Sequence, residues 1–246
     1  LGPVFNRWHV DEQLEATLPT VVEAAHMRAV WKEYRGKASV TLIEDVAARL
    51  HSLDFADAAL VAAMDSEFDP EKIGPLKSCI EEHGESCSHS VASDAAAKLD
   101  SWIAIHEANT ALRAAPADQE PLRRVIEEHR TLATPSLAQE MEERLHAIME
   151  ADDALRAAMQ DSIAALRLAL PHHRAGASPG MVNESVQKLA ELEMGADASL
   201  RAEGMSAVEA SGLRSILESH INRATPPILA EMEARLKAVE AADVGL

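Results

Sequence analysis

Four side chains that commonly bind metal ions lie within eleven residues, in the order Cys79, His83, Cys87 and His89. Cys79 and His83 are four residues apart, so on a helix they share one face, as paired zinc ligands can. Cys87 and His89 would have to reach back from a following turn. This spacing makes the four residues a candidate zinc site.

A structural role explains the same residues without a metal. His83 holds a position at which three other copies of an internal repeat also carry His, without cysteines nearby. Cys79 holds a position that is apolar in the other copies, and a buried thiol suits such a place. Those copies carry Val30, Val125, Ala169 and Ile216. A disulfide between Cys79 and Cys87 is a further alternative, although two cysteines do not make a disulfide framework.

Two Glu-x-x-His elements are present, Glu23 with His26 and Glu143 with His146. Di-iron sites in helical bundles use two such elements on facing helices together with two further glutamates. The two elements here belong to different helices of distant repeats. In so acidic a chain, a solvated surface is the simpler interpretation.

One repeated polar position lies in the last turn of a helix, on its apolar side. It is occupied by Tyr34, His83, His129, His173 and His220. A histidine at a helix C-terminus can donate to the free carbonyls and interacts favourably with the helix dipole. The functional alternative is that His83, His129, His173 and His220 sense pH, because half-buried imidazoles titrate near neutrality.

These residues are positioned by a unit that recurs five times, a first helix, a turn and a second helix. A Ser or Thr precedes each second helix, and three of the five are followed by Pro, an arrangement typical of a helix N-terminus. These residues are Ser39, Ser88, Thr134, Ser178 and Thr225. Their spacing of about 45 residues falls in the range of HEAT-like repeats. In the first repeat, the two predicted helices are 14–34 and 40–54.

Six and ten residues after each of these Ser or Thr residues stand an acid and then a base. The pairs are Asp45/Arg49, Asp94/Lys98, Glu140/Arg144, Glu184/Lys188 and Glu231/Arg235. Acid before base at this spacing supports a helix, and the pairs form either a solvated face or a ladder between repeats. An Ala-rich connector follows, beginning at Asp57, Thr110, Asp153 and Asp197, and it either continues the second helix or forms a short third one.

Composition and charge exclude several classes of function. The formal charge of −18 argues against nucleic-acid binding and against adsorption to anionic lipid. It is compatible with a basic protein partner. No apolar run approaches the roughly 20 residues of a membrane span. The N-terminus is not signal-like, so a soluble, cytoplasmic protein is favoured, but the compartment is unknown because a targeting segment could precede Leu1.

The repeated run Ala-Leu-Arg-Ala-Ala, then Leu-x-x-x-Ile-Glu-x-His, Ser/Thr-Pro-x-Leu and Glu-x-x-x-Arg-Leu resembles Ala- and Glu-rich helical repeats of large proteins of dinoflagellates and other algae. The resemblance covers residues 13–243. It implies a helical architecture and a role as spacer or scaffold, and it assigns no functional residue.

The sequence therefore predicts an all-α protein of about five stacked hairpins, forming an α-solenoid or an elongated helical bundle. Residues 1–12 are predicted as an irregular extension or cap, with Trp8 and His9 covering the end of the stack. Residues 13–246 are predicted to form a single repeat domain. Its repeats are 13–60, 61–112, 113–155, 156–200 and 201–246.

The predicted function is a non-catalytic interaction scaffold or structural repeat module without a cofactor. Its partner is a protein with a basic surface, with self-association through the end repeats as an addition. The alternative is a binding protein for a metal ion, zinc by preference, or for a small apolar ligand held between helices. That alternative includes a pH response through the repeated histidines.

Overall fold

The computed structural model describes residues 2–244, which form eleven α-helices and no strand. The predicted all-α class and the succession of helical hairpins are thereby confirmed. After a first helix, Gly2–Thr17 (α1), short and long helices alternate. The short ones are Ala24–Tyr34 (α2), Ile73–His83 (α4), Gln119–His129 (α6), Ile163–His173 (α8) and Ala210–His220 (α10). The long ones are Val40–Met64 (α3), His89–Ala114 (α5), Pro135–Asp161 (α7), Pro179–Ser206 (α9) and Pro226–Val244 (α11).

Each short helix has 11 residues and ends at the repeated Tyr or His. A five-residue turn follows, and the carbonyl of that Tyr or His closes it. The carbonyl of His173, for example, accepts from the backbone N–H groups of Gly176 and Ala177, at 3.0 and 2.9 Å. The His position therefore has a backbone task in the hairpin that does not depend on the imidazole.

The residue directly before each long helix is the predicted Ser or Thr. Ser39, Thr134 and Ser178 all have extended backbone, with φ of −64°, −62° and −63°. Pro135 and Pro179 hold the first helical position after them, where a missing N–H costs nothing. The Ala-rich connectors continue the long helices, so the alternative of a short third helix is wrong.

The N-terminal region differs from the prediction in two ways. Residues 2–12 belong to the helix α1 rather than to an irregular extension, and Trp8 is 65% exposed. The predicted helix 14–34 is divided between α1, a short 3₁₀ turn at Leu18–Thr20, and α2. Pro19 explains the break, because its ring disfavours helical backbone at Leu18 and removes a helical hydrogen bond.

The chain forms two compact units, which we call the first unit, ending at Thr110, and the second unit, beginning at Ala111. In the first unit, Leu14, Met27 and Val46 are fully buried in one cluster. In the second unit, Leu200 and Met232 anchor another. Another short 3₁₀ turn, Pro70–Lys72, precedes α4.

Candidate functional site

The best-defined polar contact of the second unit joins two consecutive long helices. Ser178, which precedes α9, donates its backbone N–H to Oδ1 of Asp152 at 2.7 Å and its hydroxyl to Oδ2 at 2.8 Å. Asp152 lies in α7 and is 3% exposed, whereas Ser178 is 7% exposed. A buried carboxylate is costly unless it is hydrogen-bonded, and here both of its oxygens accept.

The same contact recurs along the chain, and we call it the carboxylate junction. Asp57 accepts from the N–H and hydroxyl of Ser88, both at 2.7 Å. Asp197 accepts the same pair of bonds from Thr225, again at 2.7 Å. Asp11 accepts from the N–H of Ser39 at 2.7 Å. The hydroxyls of Ser88, Ser178 and Thr225 thus bond to the preceding long helix, a contact that the pattern of helix starts does not predict.

A sequence signal for the junction exists and was missed. Three residues after each junction acid, and after Asn109 at the equivalent place, stands a leucine that is completely buried. These leucines are Leu14, Leu60, Leu112, Leu155 and Leu200. Two of the predicted connector starts, Thr110 and Asp153, lie one residue after the equivalent positions Asn109 and Asp152. Asp153 is exposed and pairs with Arg156 within its own helix.

Further hydrogen bonds join the short helices to these junctions. In the first unit, the hydroxyl of Ser88 accepts from the backbone N–H of Ala24, at the start of α2, at 2.9 Å. In the second unit, the amide of Gln119, at the start of α6, donates to Oδ2 of Asp152 at 2.8 Å. At these two junctions, one carboxylate, directly or through the hydroxyl of Ser88, thus holds the starts of two helices, the following long helix and a short helix.

Glu23 makes a second contact of this kind in the first unit. Its carboxylate accepts the hydroxyl of Ser90 at 2.6 Å and the backbone N–H of Ser90 at 3.0 Å. The bond from the Ser90 hydroxyl, and then that from its N–H, lower the pKa of Glu23 below its usual value.

Two bases of the predicted acid–base pairs bond to another helix rather than to their own acid. Arg49 donates to the carbonyls of Leu18 and Val21, at 2.9 and 3.2 Å. Arg235, the equivalent residue, donates to the carbonyl of Met205 at 3.1 Å. In these two repeats the bases therefore bond carbonyls at the end of an earlier helix of the same repeat, so the ladder between repeats stays a prediction.

A second set of bases joins the two helices of one hairpin. Arg167 in α8 donates to Glu193 in α9 at 2.7 Å, and also to the carbonyl of Ala224 at 3.1 Å. Arg28 pairs with Asp54 and Arg214 with Glu240 at the equivalent places. Several arginines are thus committed to internal contacts.

The structure gives the candidate zinc residues separate tasks. Cys87 is buried at a place that Ala38, Ala133 and Ala224 occupy in other repeats, and its thiol donates to the carbonyl of Gly84 at 3.3 Å. His83 packs edge-to-face against Phe55, with ring centroids 5.7 Å apart. His89 is exposed at the start of α5.

Between residues 2 and 244, no three His, Cys, Asp or Glu side chains are gathered as a metal site requires. Both cysteines are free thiols. Burial, and then the charge of Glu82, raise the pKa of Cys79, while burial and then Asp57 raise that of Cys87. The geometry therefore gives the zinc alternative no support, and the thiols suit packing better than reaction.

The two Glu-x-x-His elements lie in different units and have other partners. Glu23 bonds to Ser90, whereas Glu143 accepts from the amide of Gln139 at 2.9 Å. His146 pairs with Glu150 at 3.2 Å on the exposed side of α7.

The four candidate pH-sensing histidines differ in their surroundings. His83, His129 and His173 are half-buried, whereas His220 is 6% exposed. Nε2 of His220 lies 3.3 Å from a carboxylate oxygen of Glu203, and its Nδ1 has no hydrogen-bond partner. The position is thus shared in the backbone, but the imidazoles do not share one environment.

His220 and Glu203 line a groove of about 920 Å³ in the second unit, together with Ser199, Ser219 and Arg223. The hydroxyl of Ser219 donates to the carbonyl of Ile216 at 2.8 Å, within its own helix. His220 therefore does not activate Ser219 as a nucleophile in this arrangement.

A second groove, of about 780 Å³, lies against α8 and is lined almost entirely by apolar atoms. Its walls include Ala158 at the end of α7, with Ala165, Leu168 and His172 on α8. Leu168 is 79% exposed. This groove could not be foreseen from the repeat pattern, because it depends on residues in which the fourth repeat departs from the others.

Comparisons with known protein families, curated proteins and solved structures gave no match to this chain. Among the helices within residues 2–244, none combines the length and the apolar character needed to cross a bilayer.

Proposed function

We propose that this protein is a non-catalytic interaction scaffold, or a structural repeat module, whose partner presents a basic surface. The supporting observation is a row of carboxylates along the exposed face of α7, formed by Glu140, Glu143 and Glu150. Their spacing places all three on one side of the helix. We call this row the acidic stripe.

No lysine or arginine of the described chain forms an ion pair with the acidic stripe. Glu143 accepts only from Gln139, and Glu150 lies beside His146. Two nearby arginines pair with other carboxylates, Arg130 with Glu142 and Arg156 with Asp153. The unpaired carboxylates make the electrostatic potential at the acidic stripe negative, which favours a basic partner.

The test is binding by the intact chain before and after neutralisation of the acidic stripe. Proteins captured by the chain from an extract of its source would be purified and bound again as single components. The triple variant E140Q/E143Q/E150Q should then lower the affinity roughly tenfold, at about 0.5 kcal/mol for each carboxylate. Binding should also weaken as salt is added.

The matched control is E33Q/E67Q/E107Q, which changes the net charge equally at exposed sites of the first unit. It should bind as the unaltered chain does. A purified partner that binds both triple variants equally would contradict the proposal, as would turnover of a substrate by the chain.

The alternatives keep a narrower basis. A small apolar ligand has the groove against α8 in its favour. A pH response is supported by the buried His220 beside Glu203. The groove of about 920 Å³ that these two residues line also carries Asp161, Glu191 and Arg223. An unchanged melting temperature between pH 8 and 5.5 would remove the second alternative. The resemblance to algal repeat proteins agrees with the scaffold but adds no residue to it.

A further inference from the structure

The fourth repeat differs from the other repeats at the outward-facing positions of its short helix. Its core positions follow the pattern, with Leu166 completely buried. Its outward positions do not, because exposed Leu168 stands where the other short helices carry small or polar residues. Those residues are Ala29, Ser78, Arg124 and Ser215. The stacking of repeats does not require an apolar side chain at this position, so the exposed leucine needs another explanation.

The same surface lacks the acidic residues that other repeats carry. His172 stands where three other repeats carry Glu33, Glu82 and Glu128, and Pro171 stands where three carry Glu81, Glu127 and Glu218. Residues 162–183 contain no Asp or Glu, and this is the longest such run in the chain. The side chains of His172, His173 and Arg174 follow the apolar residues directly. In a chain of charge −18, this is a local reversal.

We propose that the groove against α8 docks an amphipathic helix with acidic flanks, supplied by a partner protein. Ala165, Leu168, Ala169 and His172 follow one another at helical spacing and, with Ala158, form an apolar trough. A helix laid along the trough would cover Leu168 and place its own carboxylates near the imidazoles and Arg174. This surface is separate from the acidic stripe, and the inference does not depend on it.

Exposure favours a helix over a small ligand. Ligand sites usually bury most of their occupant, whereas this trough is open and leaves its central leucine 79% exposed. Charge favours an acidic helix over a second copy of the same surface, since a two-fold contact would bring His172 and Arg174 of both copies together. The remaining negative charge of the chain repels an acidic partner only weakly at physiological salt, where screening acts over about 8 Å.

The experiment measures the binding of two labelled synthetic helical peptides to the full chain at physiological salt. Both peptides have leucines at i, i+3, i+4 and i+7. One carries Glu at its remaining positions and the other carries Lys. The Glu peptide should bind about tenfold more tightly than the Lys peptide. L168S should weaken its binding by about tenfold or more, and H172E should weaken it as well.

Both variants introduce residues that other repeats already carry at these positions, so the fold should tolerate them. The control V208S removes another exposed apolar side chain, 88% exposed, away from the groove, and should bind like the unaltered chain. Four results would overturn the proposal. The peptides fail to bind through Leu168, or the Glu and Lys peptides bind equally tightly. Laurate binds at Leu168 while the peptides do not, or L168S abolishes a dimer of the free protein.

Discussion

Asp152 and Ser178 are joined by two hydrogen bonds of 2.7 and 2.8 Å, although 26 residues separate them in the chain. Both are buried. Because Ser178 precedes α9 and Asp152 lies in α7, the contact fixes where one long helix begins relative to the previous one. Two further junctions with the same pair of bonds, and a partial one at Asp11, show that this is a property of the repeat.

Loss of a junction carboxylate should destabilise the protein substantially. D152A would leave the buried N–H and hydroxyl of Ser178 without their partner, so the free energy of unfolding should fall by about 1–3 kcal/mol. D152N should cost less, since one amide oxygen still accepts. The neighbouring Asp153 is exposed, and D153A should change stability by less than about 0.5 kcal/mol. Urea unfolding of the three variants gives the comparison, and equal values for D152A and D153A would contradict it.

The leucine that follows each junction acid should be a large contributor to stability. Leu200 is completely buried, and L200A should cost about 2–5 kcal/mol. V208A, at an exposed site, should be nearly neutral. Thermal or urea unfolding would test this, and a small effect of L200A would show that the cluster around it can collapse into the cavity.

Two glycines of α9 should differ in their response to alanine. A Cβ at Gly195 meets nothing within 4 Å, so G195A should gain about 0.5–1 kcal/mol from helix propensity. A Cβ at Gly204 would lie 2.7 Å from the sulfur of the buried Met232. G204A should therefore be less stable than G195A by about 1 kcal/mol or more. Equal unfolding midpoints would mean that Met232 moves aside at no cost.

The Glu23 carboxylate should show a depressed pKa that depends on Ser90. A depressed folded pKa means that this contact stabilises the fold above the ordinary Glu range and is lost as the pH falls through the folded value. Carbon NMR titration of the Glu23 carboxyl should find its pKa below the ordinary value of a glutamate. S90A should raise it toward that value, and an unchanged titration in S90A would exclude the hydroxyl as the cause.

Replacement of the cysteines should test the zinc alternative. Cys87 stands where other repeats carry alanine, and Cys79 stands where two carry valine. C87A and C79V should therefore keep the melting temperature within about 4 °C, which corresponds to less than 1 kcal/mol. A chelator should leave the melting temperature of the unaltered chain unchanged. If the chelator lowered the melting temperature of the unaltered chain but not that of C87A or C79V, the metal hypothesis would be supported again.

Much of this fold could be predicted because the chain repeats its local signals. Thr134-Pro135 and Ser178-Pro179 specify helix starts by their own backbone chemistry, which needs no distant partner. The end of α1 was missed although Pro19 marks it, since the apolar pattern continues across the break. The Asp153 assignment failed because two adjacent aspartates look alike until one of them is buried.

The candidate surfaces were less predictable. A helical pattern places Leu168 only relative to its own helix, and the groove depends on how the end of α7 lies beside α8. The sequence also left open whether Arg49 and Arg235 would pair with the acid four residues before them or bond to an earlier helix. A surface ion pair and a bond to a helix-end carbonyl differ little in free energy, so geometry decides between them.

The sequence by itself determined the class of the fold, the five hairpins and the places where the long helices begin, because these follow from short-range preferences and apolar spacing. The tertiary structure alone decided which carboxylates became the junctions, which arginines turned inward and which apolar face stayed open. Those outcomes depend on contacts between residues distant in the chain, and burial sets the value of each such contact.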